Sequence, residues 1–411
     1  MYATNWSASM PEWKILRVAE IAAPRGLAGG PFGSSLGSKD YVPHGVPVIR
    51  GVNLGSERKF NLRQFAYVTP EKVAAELSRN LAQPCDVIFT QRGTLGQVGV
   101  VPDSPYPQYV ISQSQMRLRV NPARARPEFV YYQFRTSSMV SAIINHAITT
   151  GVPHINLSIL ADLRLSVPPL STQEAIVDIL GALDDKIAAN GELTATGEAF
   201  IVTLSSGEQQ AKAVPLKEIV DHVREQVLPE ALEAERVAHY SIPAFDSMRL
   251  PEMATPGSIK SSKFIVSAAS VLVSKLNPSI PRIWNVDPSR RVPALASTEF
   301  LVLRPSQGIT TDELWAVCSQ PSFTVSLAGK VTGTSNSHQR VKPADLLATE
   351  VVDPRVLPAE VRGSISAVAR QVHQARMESQ SLACLRDALL PKLMSGEIRV
   401  REAEQIVEDV T

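Results

Sequence analysis

Short polar and basic side chains gather in a few glycine-bearing stretches of this 411-residue chain, and their types suit contact with an anion or a nucleobase edge more than bond making. Near the start, "GGPFGSSLGSKD" offers glycines that let backbone amides approach an anion, with Ser34, Ser35 and Lys39 beside them. Arg50 closes the next apolar run, "VPVIR". "TQRGTLG" sets Gln91, Arg92 and Thr94 where an apolar strand ends, and amide and guanidinium groups pair with adenine and guanine edges. "TTGVPHIN" adds His154 and Asn156. The second half supplies Lys263, then Lys275 and Asn277 in "SKLNP", then Thr334, Asn336, His338 and Arg340 in "TGTSNSHQR". Polar residues in such turns also cap their own backbone, so each stretch equally suits a plain surface loop.

Catalytic chemistry finds less support. Lys39 stands in Ser-Lys-Asp, not in the Gly-Lys-Ser/Thr of a phosphate-binding loop, and no Gly-x-Gly-x-x-Gly follows a first strand. His154 has no serine or cysteine set beside it on a strained strand-to-helix turn, and the expectation is that the chain lacks the Gly-x-Ser-x-Gly of a nucleophile elbow. His154 and His338 could share a metal only if their loops met, and they fall in different halves of the chain. Cys85, Cys318 and Cys384 are odd in number and widely spaced, which argues against a disulfide framework or a zinc knuckle. The expectation is a chain with no catalytic residue, metal or cofactor. The charged run Asp184, Asp185, Lys186 reads as a solvated helix face.

The elements that must position these loops occur twice. At a shift of roughly 182 to 189 residues, "DVIFTQRGT" lies over "SVLVSKLNP", "QMRLRVNP" over "EFLVLRPS", "EFVYYQFRT" over "DELWAVCSQ", and "TTGVPHIN" over the "TGTSNSHQR" segment. A helical stretch closing in Ser-Gly-Glu ends each half. In the first, Ile176, Leu180, Leu183, Ile187, Asn190, Thr194, Gly197, Ile201 and Leu204 alternate at four and three. Val361, Ile365, Val368, Val372, Ala375, Ser379, Leu382, Arg386, Leu389 and Leu393 do the same in the second. Two equal stripes in one chain favour an intramolecular antiparallel pair. Ser171 or Thr172 ahead of Glu174 reads as the first helix cap, and the Ser-Gly-Glu glycines suit left-handed C-terminal positions.

Composition sets outer bounds. With 44% apolar residues the chain can bury more than one core, and two or three domains are expected. No run of about 18 apolar residues or secretory core is present, so a membrane span is not expected and the cytoplasm is the expected location. A formal net charge of +1 decides nothing about nucleic acid, because local patches hide in a balanced total.

The succession of these phrases resembles the specificity subunits of type I restriction-modification enzymes. "WKILRVAEI", "PFGSSLGSKDYVPHGVPVIRGVNL", "DVIFTQRGTLGQVGVV", "ISQSQMRLRV" and "GVPHINLSILADLRLSVPPLSTQEAIVDILGALDDKI" occur in order. The second half has "VPLKEIV", "VLVSKLNPSIPRIWNV", "TGTSNSHQRV" and "LLPKLMSGEI". The resemblance implies an α+β chain of two α/β target-recognition domains, 1–167 and 212–354, with spacer helices in 168–211 and 355–411 forming a coiled-coil-like antiparallel pair. It also implies double-stranded DNA as ligand, two modification subunits that use S-adenosylmethionine, and restriction and translocase subunits that use ATP and Mg. A spacer of about 34 residues is a rod of roughly 50 Å, which suggests an asymmetric two-part target with a fixed gap. The second half departs from the pattern, lacking "PPLSTQEAI" and running shorter before "SVLVSKLNP". A protein-only scaffold, or a half-specific decoy that binds through one domain, is the alternative.

Overall fold

The computed structural model describes residues 13–33, 35–55, 59–206, 212–288, 291–331 and 339–409. They form two compact units, 1–188 with 380–411, and 189–379. Each unit holds one sheet-rich domain and one half of each long helix, so the long helices pass from one unit into the other along the chain.

In the first unit the run "VIFT" forms the strand Val87–Thr90, buried at every position. A strand buried on both sides needs two cores, and its residues alternate between them. Val87 and Phe89 face a core with Met116, Leu118 and the helix Pro127–Arg135, while Ile88 faces Ile49, Tyr109 and Ile111. The strand belongs to an antiparallel sheet ordered Ala22–Gly29, Gln115–Val120, Val87–Thr90, Val98–Val100. A second sheet is ordered Ala66–Val68, Val46–Ile49, Tyr109–Ile111, Leu81–Ala82, and its central pair is parallel.

The second unit repeats this plan. The strand Ser270–Ser274 takes the place of Val87–Thr90, with Val271 and Val273 in one core and Leu272 in the other. Its sheet is ordered Val220–Val223, Phe300–Pro305, Ser270–Ser274, Ile283–Val286. The second sheet again has a parallel pair, Val237–Tyr240 with Ala294–Ala296, flanked by Glu252–Ala254 and Lys263–Ile265. Gln226–Val227 adds a fifth strand at its edge. The expected pseudo-repeat is therefore a repeat of topology.

The heptad stripes become two helices, a central one at Leu170–Ser205 and a late one at Ala359–Ser395. In the first unit Ile176, Leu180 and Leu183 share a core with Leu382, Leu389 and Leu393. In the second unit Ile201 shares a core with Ile365, and Gly197 lets the helices close until an added Cβ would lie 2.6 Å from Val372. In the second unit Asn190 meets Glu378 and Gly197 meets Val372, so partners ascend on one helix as they descend on the other and the pairing there is antiparallel.

The ends differ in detail from expectation. The central helix starts before Ser171 and Thr172: the amides of Thr172 and Gln173 donate to the Pro169 carbonyl, each at 3.0 Å. Its start is fixed by the buried Gln173, whose Oε1 accepts from the Arg126 amide at 2.9 Å and whose Nε2 donates to the Pro168 carbonyl at 2.8 Å. The late helix ends at Gly396 with φ of +75°, a left-handed conformation that favours glycine. The matching Gly207 lies outside the described residues. After Gly396 the acidic tail forms another helix, Val400–Glu408, and Ala403, Val400 and Val407 pack it onto the first unit's core.

Candidate nucleic-acid interface

In the first unit the loops that hold Gly30 and Gln91 bond to one short segment, residues 112–115, and a third loop, at His154 and Ile155, joins through Gln91. The Gly30 amide donates to the Gln115 carbonyl at 3.0 Å, and a Cβ on Gly30 would sit 2.0 Å from the Ser112 carbonyl oxygen, so only glycine fits there. Gln113 Nε2 donates to the Gly33 and Leu36 carbonyls at 2.6 and 2.7 Å. The Gln91 and Arg92 amides donate to the Ser114 carbonyl at 2.7 and 3.4 Å. The Ile155 amide then donates to Gln91 at 3.0 Å, and Arg92 and His154 form an isolated bridge.

These bonds bring together most first-half candidates. Ser35, Gln91, Arg92, Thr94, His154 and Asn156 fall on the loops so joined, and Lys39 follows in the short helical turn Ser38–Asp40. Lys39, Arg92 and Thr94 are exposed, while Gln91 and His154 are half-buried. Asn156 also caps the helix Leu157–Asp162, its Oδ1 accepting from the Ile159 amide at 2.9 Å. Arg50 stands apart: its guanidinium donates to the Gln64 carbonyl and ties down the strand end. Ser34 lies outside the described residues.

The second unit builds the same junction from other side chains. The Lys275 amide donates to the Glu299 carbonyl at 2.8 Å, as Gln91 does to Ser114. The Val341 amide donates to Lys275 at 3.1 Å, as Ile155 does to Gln91. Leu276 and Arg340 form the bridge that Arg92 and His154 form in the first unit. Asn277 has φ of +47° where Gly93 has +101°, so both turns are left-handed. Lys275, Asn277 and Arg340 are thus assembled, whereas Thr334, Asn336 and His338 lie outside the described residues.

Charge at this second junction is held in place by a residue the sequence reading missed. The Glu299 carboxylate accepts from Arg340 Nε at 3.1 Å and from its terminal nitrogen at 3.0 Å. That bond holds the Glu299 carboxyl below its usual range and raises Arg340. His222, half-buried on the neighbouring strand, is lowered first by burial and then by the charges of Arg224 and Lys275. Lys263 corrects an expectation. It is buried, and its ammonium donates to the Ser261 carbonyl and hydroxyl at 2.9 and 2.6 Å, so it offers no free donor at the surface.

A further point concerns Gly33–Gly37. These residues spell the Gly-x-Ser-x-Gly of a nucleophile elbow, a motif the chain was expected to lack. An elbow needs a strand-to-helix turn and a base. Here Ser35 lies in a loop, its amide donating to the Phe32 carbonyl at 3.3 Å, and among the described residues no histidine bonds its hydroxyl.

Comparison with known proteins agrees with this architecture. Residues 66–196 match the model of the type I restriction modification DNA specificity domain. The chain is 18% identical over 424 aligned positions to the type I restriction enzyme MjaIX specificity subunit of Methanocaldococcus jannaschii, a match covering 95% of this chain and 94% of that protein. Its fold is similar to the crystal structure of a type I restriction-modification system S subunit from M. genitalium, with a TM-score of 0.59, 15% identity, and coverage of 96% and 98% of the two chains. A matched specificity domain over residues 66–196, a relative aligned end to end and a shared fold point the same way: along its length the chain is similar to the specificity subunits of type I restriction-modification enzymes.

Proposed function

We propose that this chain is a specificity subunit that reads a bipartite, asymmetric site on double-stranded DNA, one half-site per domain, and carries no chemistry of its own. One observation supports this most directly: the same bridged loop junction is built twice with different side chains, Arg92 and His154 in one unit, Leu276 and Arg340 in the other. Equal backbone geometry with unequal donors is what two readers of unequal sequences require. Gln91, Arg92 and Thr94 act on the first half-site, with Lys39 on its phosphates. Lys275, Asn277 and Arg340 act on the second.

Bond making belongs to partners. Two modification subunits using S-adenosylmethionine methylate the site, and restriction and translocase subunits use ATP and Mg. A base inside a duplex must be extruded before it is methylated, so the chain positions those partners as well as reading the site. The cytoplasm is where such a complex meets its DNA.

Methylome sequencing of cells carrying this chain with its modification subunits is the test. Two unequal half-sites separated by a fixed gap are expected, and the purified chain alone should neither methylate, cleave nor hydrolyse ATP. A palindromic or one-part site would overturn the proposal. So would DNA binding that stays flat as salt rises, because contacts to phosphate release counterions and a protein-only scaffold has none to release.

A further inference from the structure

Phe32 is 88% exposed, yet its position is fixed. On one side Pro31 is buried and Gly30 is pressed against the Ser112 carbonyl. On the other, Gly33 turns with φ of +60° and its carbonyl is gripped by Gln113, as is that of the buried Leu36. The next residue on from Gln113, Ser114, carries the Gln91 and Arg92 amides. A bulky apolar ring is therefore held out in water by the segment that also holds the polar reading loop.

Single exposed apolar residues are common and mean little by themselves. The surroundings discriminate here. An aromatic anchor for a protein partner sits within a ring of other bulky contacts that exclude water. Phe32 has glycine, serine and Lys39 in its own loop, and the loop bonded to the same segment presents Arg92 and Thr94. Small residues, backbone amides and cations suit nucleic acid. Against DNA an exposed aromatic ring has two uses, contact with the thymine C5 methyl and insertion at an opened base step.

We infer that Phe32 is an apolar DNA contact of the first domain that contributes to its specificity. The inference rests on the proposed DNA-reading role and deepens it.

The test uses the full chain assembled with its modification subunits and anisotropy measurements on two labelled duplexes, one with the methylome-defined site and one scrambled. Phe32→Ala should weaken binding to the site by about tenfold or more, the scale of losing one base–aromatic contact. Binding to the scrambled duplex and the slope of affinity against salt should not change, because no cation is removed. Phe200→Ala, at another exposed phenylalanine on the central helix, should have no effect on either duplex.

Two further arms identify the contact. If replacing site thymines by deoxyuridine weakens the wild type and leaves Phe32→Ala indifferent, the ring meets a methyl group. If 2-aminopurine at the site brightens with the wild type and not with the variant, the ring enters an opened step. Either result supports the inference. Equal affinities of wild type and Phe32→Ala for the site would overturn it, as would a loss of assembly with the modification subunits measured by sedimentation without DNA. A wild-type complex that cannot distinguish the two duplexes would instead bring down the DNA-reading proposal, and the inference with it.

Discussion

Arg386 on the late helix donates to the Asp184 carboxylate on the central helix at 2.8 Å, and both side chains are almost wholly buried. The Tyr132 hydroxyl donates to the other carboxylate oxygen at 2.7 Å, and Arg135 lies 3.7 Å from it. Asp184 was expected on a solvated face; it is instead the hub that fastens the recognition domain of the first unit to its helix pair. Burial, and then Asp184, raises the Tyr132 hydroxyl pKa.

Removing one partner of a buried pair leaves an uncompensated charge. Arg386→Ala should therefore destabilise the chain by about 3 to 5 kcal/mol, read from urea unfolding. The apolar pair Asp184→Leu with Arg386→Met should recover much of this but remain about 1 to 3 kcal/mol short, because it strands the Tyr132 hydroxyl and takes the anion away from Arg135. Adding Tyr132→Phe should close the hydroxyl's share of that difference and leave the part due to Arg135. An Arg386→Ala chain as stable as the wild type would show that the pair holds nothing together.

The same pair bears on whether half the chain can stand in for the whole. Residues 1–206 should dimerise by pairing two central helices. Gly197 and Arg386 each stand ten residues before the glycine of their Ser-Gly-Glu, so in such a dimer Asp184 meets Gly197 of the other copy in place of Arg386. Gly197→Arg should then tighten the fragment dimer by about tenfold or more, seen by sedimentation equilibrium. In the full chain it should destabilise, since the space beside Gly197 is filled by Val372 and Val368. A Gly197→Arg fragment that dimerises less well would contradict this register.

What was legible in the sequence follows from which forces are local. "DVIF" and "SVLV" announce twin buried strands because alternation and apolar content are properties of the run itself. The helix stripes and Gly396 were legible for the same reason. The stripe even showed its polar breaks at Asn190, Gly197 and Arg386, but not their partners Glu378, Val372 and Asp184, which arrive from another part of the chain. Gln173 setting a helix start, Glu299 holding Arg340, and Lys263 folding back onto Ser261 are likewise tertiary events. The terminal helix was within reach: Val400, Ala403 and Val407 keep helical spacing beneath the acidic composition.

Glu299 and Arg340 form a partly exposed pair, so its worth to stability is small, about 0 to 1 kcal/mol. Because folding lowers the Glu299 pKa, this contribution is present above the ordinary value of 4.5 and is lost as pH falls through the lowered folded value. Glu299→Gln should abolish that acid-side dependence, measured as melting temperature against pH. It should also loosen the hold on Arg340, raising affinity for scrambled DNA a few-fold and steepening the salt slope by about one unit at most. An unchanged slope would mean that Arg340 does not reach phosphate.

Arg92 and Lys275 sit at matched junctions, yet they should fail differently. Arg92→Ala should relax the first half-site at one position, at a cost of about 1 to 3 kcal/mol, and leave the second half-site intact. Lys275→Ala should act on the second alone. Methylome sequencing of each variant shows which half of the motif degenerates. If either variant blurred both halves, the two junctions would not be independent readers.

Helix length should set the gap between half-sites. The central helix has 36 residues, which at about 1.5 Å per residue is roughly 54 Å, more than one turn of B-DNA at about 34 to 36 Å. Two domains reading one face of a duplex favour half-site centres near one turn, about 10 base pairs. With roughly 3 to 5 base pairs read by each domain, the unread gap should be about 5 to 8. Inserting four residues between Ala188 and Ala189, where the two units divide, adds about 6 Å of helix. Four is also the step at which a heptad stripe takes up a local unwinding, so the late helix can stay in contact. The preferred gap should lengthen by one or two base pairs at about 3.4 Å each, with both half-sites unchanged. Methylation measured across targets that differ only in gap decides it: an optimum that does not move would mean that the helices are not the spacer.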